Sequence, residues 1–157
     1  MALRTTPRGV LVWSPLAGGL LTGKYRRGQP QPASGRHLQN WGEPPIYDEA
    51  KLYDTIEVLV AIAASRNVPA AQVAMAWSLA RPAITSLVIG ARDEAQLKAN
   101  LPAVDLKLTA EERAKLDAVS APTLIYPYWH QASTARDRLG AADLALLEHF
   151  VRGAARC

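Results

Sequence analysis

Two short apolar runs constrain this chain more than anything else in it. Val10-Leu11-Val12-Trp13 stands between Gly9 and Ser14-Pro15, and Thr85 to Ile89 stands between Pro82 and Gly90. The first, a continuous apolar run closed by such breakers, is expected of a strand buried on both faces of a parallel sheet, and the second is read as the next strand. Parallel neighbours need a long crossover, and about seventy residues separate the two runs. The order is strand, long loop, helices, strand, helices, which is the grammar of parallel β/α units and sets the fold class as α/β. Two strands cannot cover themselves, and their exposed edges invite pairing with something else.

The crossover reads in three pieces. Leu16 to Tyr25 is rich in Gly, and Gly28 to Pro45 gathers Gly, Pro, Gln, Ser and Asn, as in a long exposed loop of the kind that often serves as a lid. Asp48 is suited to cap a helix with Leu52, Ile56, Leu59 and Ala63 inward, ended by Asn67 or Val68 before Pro69. Pro69 fits the first turn of a second helix through Val73, Ala76, Trp77 and Ala80 that stops before Pro82.

After the second strand, Asp93 to Leu101 is expected to be helical, and Thr109-Ala110-Glu111-Glu112 is a capping box with Leu116 and Val119 inward behind it. Ala121 to His130 is aromatic and broken by Pro, hence irregular. Ala141 to Arg152 carries Leu144, Leu147 and Val151 on one face and reads as a tail helix. The expected organisation is a main part over 1–130 and an added tail over 131–157.

Composition narrows the function classes. With 49% hydrophobic and 20% charged residues, the chain has the makings of one globular core. The formal net charge of +4 favours anionic ligands, but basic and acidic residues are interspersed, so no nucleic-acid partner is expected. Residues 10–13 are too short for a signal core or a membrane span, and the sole Cys157 excludes an internal disulfide and a multi-cysteine metal site. A soluble cytoplasmic protein with no membrane partner is the expectation.

Leu87-Val88-Ile89-Gly90-Ala91-Arg92 leads from an apolar run into a helical pattern, in which Arg92, Gln96 and Asn100 recur at i, i+4 and i+8 along one face. The unpaired N–H groups of a helix start favour a phosphate, and an Arg fork in the first turn would grip it. Other features read blandly when taken alone. Gly18-Gly19 is a tight turn, Lys24 a solvated loop residue, and Gln96 with Asn100 an exposed helix face. Trp77 and Tyr53-Asp54 read as core and surface positions, His37 and His149 have no partner at catalytic spacing, and His130 simply follows the aromatic segment.

These residues resemble a family. Val12-Trp13-Ser14-Pro15-Leu16-Ala17-Gly18-Gly19-Leu20-Leu21-Thr22-Gly23-Lys24-Tyr25 is similar to the seventh-strand segment of the aldo-keto reductases, and Ile89-Gly90-Ala91-Arg92 through Gln96 and Asn100 is similar to their eighth strand and cofactor-binding helix. Pro69 to Trp77 and Tyr126-Pro127-Tyr128-Trp129 fit the bacterial and potassium-channel-β-like branch, so the resemblance runs from about Arg8 to His130.

The resemblance implies a (β/α)8 barrel that binds NADP(H) and reduces carbonyl compounds by hydride transfer. Carried over by position, Trp13, Ser14, Pro15, Leu16 and Gly18 would line the nicotinamide and pyrophosphate path, with Lys24 on a phosphate. Gly90, Arg92, Gln96 and Asn100 would hold the adenosine and its 2′-phosphate, with Arg36 clamping over it. The family's catalytic Tyr, Lys, Asp and His lie on the first four strands, which have no counterpart here, so no catalytic residue is expected on this chain. Such barrels take about 250 residues, and the 157 present are expected to form a partial barrel of the last two strands and their helices. A truncated gene product, a split subunit or a misplaced start codon would each produce such a chain. A carbonyl substrate is then expected only if the barrel is completed, and self-association or a complementing chain is the expected partner. The alternative is a non-catalytic nucleotide-binding or barrel-completing interaction module.

Overall fold

The two apolar runs become strands β1 (Val10–Trp13) and β2 (Ile84–Val88), paired in parallel with Leu11, Val12 and Trp13 opposite Ser86, Leu87 and Val88. This is a computed structural model, which describes residues 9–39 and 45–122 together with Tyr126, Pro127, His130, Gln131, Thr134 and Gly140. β2 begins one residue earlier than the pattern of Thr85 to Ile89 suggests. The register slips between Val10 and Leu11. At that end of the sheet a Cβ on Gly9 would stand 2.1 Å from the Thr85 hydroxyl oxygen, so only a residue without a side chain passes.

The crossover carries two helices. In α1 (Glu49–Arg66) the Asp48 carboxylate accepts from the Lys51 N–H at 2.9 Å, and Asn67 closes the helix in the left-handed region at φ 53. α2 (Ala70–Leu79) follows at a bend of 102°, with Pro69 just ahead of the first turn rather than in it. Its extended ψ of 143 puts Pro69 at the cap, where a missing N–H costs nothing. Beyond β2 come the short helix α3 (Glu94–Asn100) and α4 (Ala110–Ser120).

α4 opens on a complete capping box. The Thr109 N–H donates to Glu112 Oε2 at 2.7 Å, and the Glu112 N–H donates to Thr109 Oγ1 at 3.2 Å. The same carboxylate takes both arms of the Arg66 guanidinium, at 2.7 and 2.6 Å, so one side chain caps α4 and ties it to the end of α1. Arg66 is the main cause holding the Glu112 carboxyl down to about 2.

The core lies between helices. Leu59, Ile62, Ala63, Val73, Ala74 and Leu116 meet where α1, α2 and α4 pack, and Ile56 anchors a second cluster with Leu20 and Tyr25. Each large side chain buried here contributes about 1.5–3 kcal/mol. Trp77 is half-buried at the helix contact, its indole N–H donating to Asp117 at 2.7 Å with Arg81 over the ring at 4.3 Å. Asp54 is exposed and pairs with Arg27, while Tyr53 packs on the second cluster, in keeping with their reading as surface and contact positions.

The sheet departs from expectation. Leu87 and Ile89 pack against Ala71, Met75 and Ala103, so α2 and the turn Leu101–Val104 cover one side. On the other side Leu11, Trp13 and Val88 are 67%, 66% and 50% exposed. The strands are therefore not buried on both faces, because among the described residues a helical layer covers only one of them.

Residues 121–157 form a second compact unit, separate from 1–120. Within it the Gln131 N–H donates to the Pro127 carbonyl at 2.8 Å and the Thr134 hydroxyl to the His130 carbonyl at 2.7 Å. The expected tail helix over 141–152, Tyr128, Trp129 and Cys157 lie outside the described residues. No single described helix is long and apolar enough to cross a membrane.

Candidate functional site

Both strands deliver their ends into loops that carry cations. After β1 the chain turns at Ser14, whose hydroxyl accepts the Gly18 N–H at 3.2 Å, and enters the 3-10 turn Ala17–Thr22. Gly18 and Gly19 there hold φ of 64 and 98, which explains the glycine pair as a tight turn. Leu20 is buried at the foot of this turn, which fixes where the chain leaves it and brings Lys24 back over the site.

Lys24 is half-buried, and its ammonium donates to the Ser34 carbonyl at 3.1 Å. Burial lowers its pKa, and the Arg92 guanidinium lowers it further through space. Arg92 comes from the loop after β2, so parallel pairing puts cations that are far apart in sequence at the same end of the sheet. Among the described residues neither is paired with a carboxylate.

Arg92 does not sit in the first turn of a helix, contrary to the periodicity. α3 starts at Glu94, and its cap is Asp93, extended at φ −148 and ψ 168, whose carboxylate accepts the Gln96 N–H at 2.7 Å. The anion at this helix start is the chain's own. Gln96 turns back, its Oε1 accepting the Arg92 N–H at 2.8 Å, which holds the loop rather than extending a stripe. Asn100 is only 6% exposed with Nδ2 unpartnered, in contrast to the exposed Arg92. Gly90 is exposed, and nothing stands within 4 Å of where its Cβ would be.

Trp13 is exposed at the same end of the sheet, with Ser14, Pro15 and Leu16 half-buried after it. Arg36 is exposed at the start of a second 3-10 turn, Arg36–Gln39, in the segment that reads as featureless loop. This segment touches Lys24 and its neighbour closely. A Cβ on Gly35 would lie 2.2 Å from the Tyr25 hydroxyl and 3.0 Å from the Lys24 ammonium.

Tyr25 is the residue that pattern reading passes over. It is 6% exposed, burial raises its pKa, and its hydroxyl has no hydrogen-bond partner. His37 stands edge-on to its ring at 6.2 Å, with Nε2 also buried and unpartnered. Each such orphan costs about 1–3 kcal/mol. No sequence signal reports this, because an aromatic beside a lysine has the pattern of any loop anchor.

A groove of about 320 Å³ between the Ala17–Thr22 turn and the start of α1 is lined mainly by Leu20, Leu21, Ile46, Tyr47, Leu52 and Thr55, and holds neither Lys24 nor Arg92. Among the described residues no group of three His, Cys, Asp or Glu is placed to hold a metal.

Several known proteins are similar to this chain in sequence. A protein described as a probable voltage-gated potassium channel subunit beta from Oryza sativa subsp. japonica is 36% identical over 116 residues, which is 71% of this chain and 35% of the relative. The L-glyceraldehyde 3-phosphate reductase of Escherichia coli (strain K12) is 35% identical over 113 residues, 69% of this chain and 32% of the relative. An aldo-keto reductase of Babesia bovis is 36% identical over 99 residues, 62% of this chain and 35% of the relative. The chain thus spans about a third of the length of these relatives. Residues 8–121, with β1, β2 and α1 to α4 included, match the aldo/keto reductase family, and the chain belongs to that family.

Proposed function

We propose that this chain is the cofactor-gripping, C-terminal part of an NADP(H)-dependent aldo-keto reductase barrel, its two parallel strands being the last two of eight. The observation that supports this best is that the loops after the two paired strands each carry a cation, Lys24 and Arg92, that forms no ion pair among the described residues. Two cations without a carboxylate partner favour an anion, and a phosphate suits an ammonium and a guanidinium. The residues present fit such a cofactor at one end through these cations and at the other through exposed Trp13.

NADPH, when bound, supplies a hydride to a carbonyl carbon. The chain's own residues bind and orient. Trp13 offers a flat apolar face to the nicotinamide, while Ser14, Pro15, Leu16 and Gly18 shape the path toward the pyrophosphate. Lys24 and Arg92 neutralise phosphate charge, and Gly90 leaves room for close approach of the adenosine. Gln96 holds the Arg92 backbone so that the guanidinium meets the ligand at little entropic cost. The buried Asn100 amide, whose Nδ2 has no partner, is left to donate to the adenosine end. Proton delivery to the carbonyl oxygen falls to residues outside this set.

Binding tests the assignment directly. Arg92→Ala is expected to weaken NADPH about tenfold or more while leaving NADH within about twofold, because the lost partner is the 2′-phosphate. Equal weakening of the two would remove the 2′-phosphate from Arg92. NADPH oxidation across a panel of aldehydes and ketones is expected to be nil with the purified chain, and turnover would overturn the division of labour.

A second reading has its own support in the sheet face of Leu11, Trp13 and Val88 and the strand edges, which are left uncovered and unpaired among the described residues. In that reading the chain completes a barrel with a complementing chain or a second copy. Size-exclusion chromatography separates the two, since a monomer at all concentrations leaves the face without a protein partner.

A further inference from the structure

Gln72 is the odd residue in its helix. The first turns of α2 are buried throughout, and its neighbours over residues 70–76 are all Ala, Val or Met. A carboxamide buried there is costly unless its polar atoms are bonded. Its Nε2 donates to the Ala99 carbonyl at 2.6 Å, which joins α2 to the last turn of α3. Carbonyls in a last helical turn run short of intrahelical donors, and Gln72 supplies one. Apolar contact holds α3 only weakly, since Leu97 and, just beyond the helix, Leu101 are exposed. Asn100 follows Ala99 and is buried, and its Nδ2 has no partner. Three residues on, Ala103 packs with Ala71 and Met75 of α2. The stretch that carries Asn100 is therefore gripped before by the Gln72 bond and after by Ala103.

We propose that Gln72 is a positioning residue for the adenosine end of the cofactor. Its bond to the Ala99 carbonyl sets where the Asn100 amide stands, and the unpartnered Nδ2 of Asn100 donates to an acceptor on the adenosine. A donor already fixed in place is not ordered again when the ligand arrives, so its bond is kept in the affinity. This inference rests on the reading of this chain as the cofactor-gripping part of an NADP(H) site. It adds to that site a residue of α2, which the motif after β2 does not contain. Gln72 acts through Asn100 and touches no ligand.

Adenosine 2′,5′-bisphosphate is the probe, titrated by calorimetry into the full chain. Asn100→Ala is expected to weaken its binding about tenfold, and Gln72→Met, which keeps the length and removes the donor, about fivefold. In an Asn100→Ala background, Gln72→Met is expected to change binding by less than about twofold, because nothing is left to position. Losses that multiply in the double variant overturn the proposal and leave the adenosine site standing, as does wild-type affinity in either single variant. No binding by the wild-type chain removes the cofactor reading and this inference with it. NMR of the Gln72 side-chain amide in the unsubstituted chain gives an answer that needs no variant to fold. Its Nε2 protons are expected to exchange about threefold more slowly once the probe is bound, since fixing Asn100 fixes the carbonyl beside it. Unchanged exchange on binding overturns the coupling.

Discussion

The helical layer and the strand ends obey different rules in this molecule. Where α1, α2 and α4 meet, apolar side chains are buried and Glu112 satisfies a guanidinium, an amide and a cap at once. At the strand ends, Trp13 lies open, Lys24 and Arg92 have no carboxylate counterion among the described residues, and Tyr25 and His37 each bury a polar atom without a hydrogen-bond partner. The contrast teaches that the first region is finished by its own residues, while the second leaves charged and polar groups without partners among the described residues. Stability is concentrated in one and binding potential in the other.

The largest expected effect tests that split. Ile56→Ala removes a fully buried side chain and is expected to cost about 3 kcal/mol in a urea melt. Trp13→Ala, in contrast, is expected to stay within about 0.5 kcal/mol, since the ring leaves little packing behind. Comparable losses would mean that the exposed sheet face is part of the core after all.

Glu112→Gln sharpens the helical side and is expected to cost about 2 kcal/mol at neutral pH by breaking its charge-assisted bonds to Arg66. The folded carboxyl titrates at about 2, below its ordinary value of 4.5, so the unfolded chain binds more protons between those two values. The stabilisation is therefore complete above pH 4.5 and drains away as pH falls toward 2. The difference between the melts of the wild-type chain and the Glu112→Gln variant is expected to shrink over that window, and a constant gap would place the bond's contribution elsewhere.

Two smaller effects probe the sheet end. Gly9→Ala forces a methyl against the Thr85 hydroxyl and is expected to cost about 1–2 kcal/mol, with Gly9→Ala in a Thr85→Ala background restoring most of it. Asp93→Ala deletes the α3 cap and is expected to cost about 1 kcal/mol, read as faster amide exchange at Gln96. Loss of phosphate affinity with that variant would show how far Arg92 depends on its loop.

Local chemistry is legible residue by residue. Asp48 and Thr109 announce helix starts because a short oxygen-bearing side chain ahead of a periodic run has few other uses. Asn67 before Val68-Pro69 announces a stop for similar reasons. The motif after each strand is readable as far as residue identity goes. What the pattern misplaces is Arg92, since a repeat of four cannot tell a helical residue from one just ahead of a cap, and Asp93 makes the stronger cap. The burial of the strands is overstated by their composition, because an apolar run reports a preference for cover and says nothing of whether cover is present. That Lys24 and Arg92 follow strands ending at the same side of the sheet depends on strand pairing, which no local window contains. Tyr25 is invisible for a related cause, as its orphaned hydroxyl is made by Gly35 and His37 folding back over it.

The parallel pairing of β1 with β2 carries a consequence for the order of assembly. Its partners are separated by roughly seventy residues, so the chain must close a long loop before the first ladder bond forms, whereas α1 and α2 are neighbours along the chain. The helices are accordingly expected to condense early and the ladder to zip late, and the loops that carry Lys24 and Arg92 come to one end of the sheet only at that final step. On heating, the reverse holds. Affinity for an anion is expected to vanish while the helical signal is still intact, and the interval between the two losses measures how independently the binding end of this molecule melts.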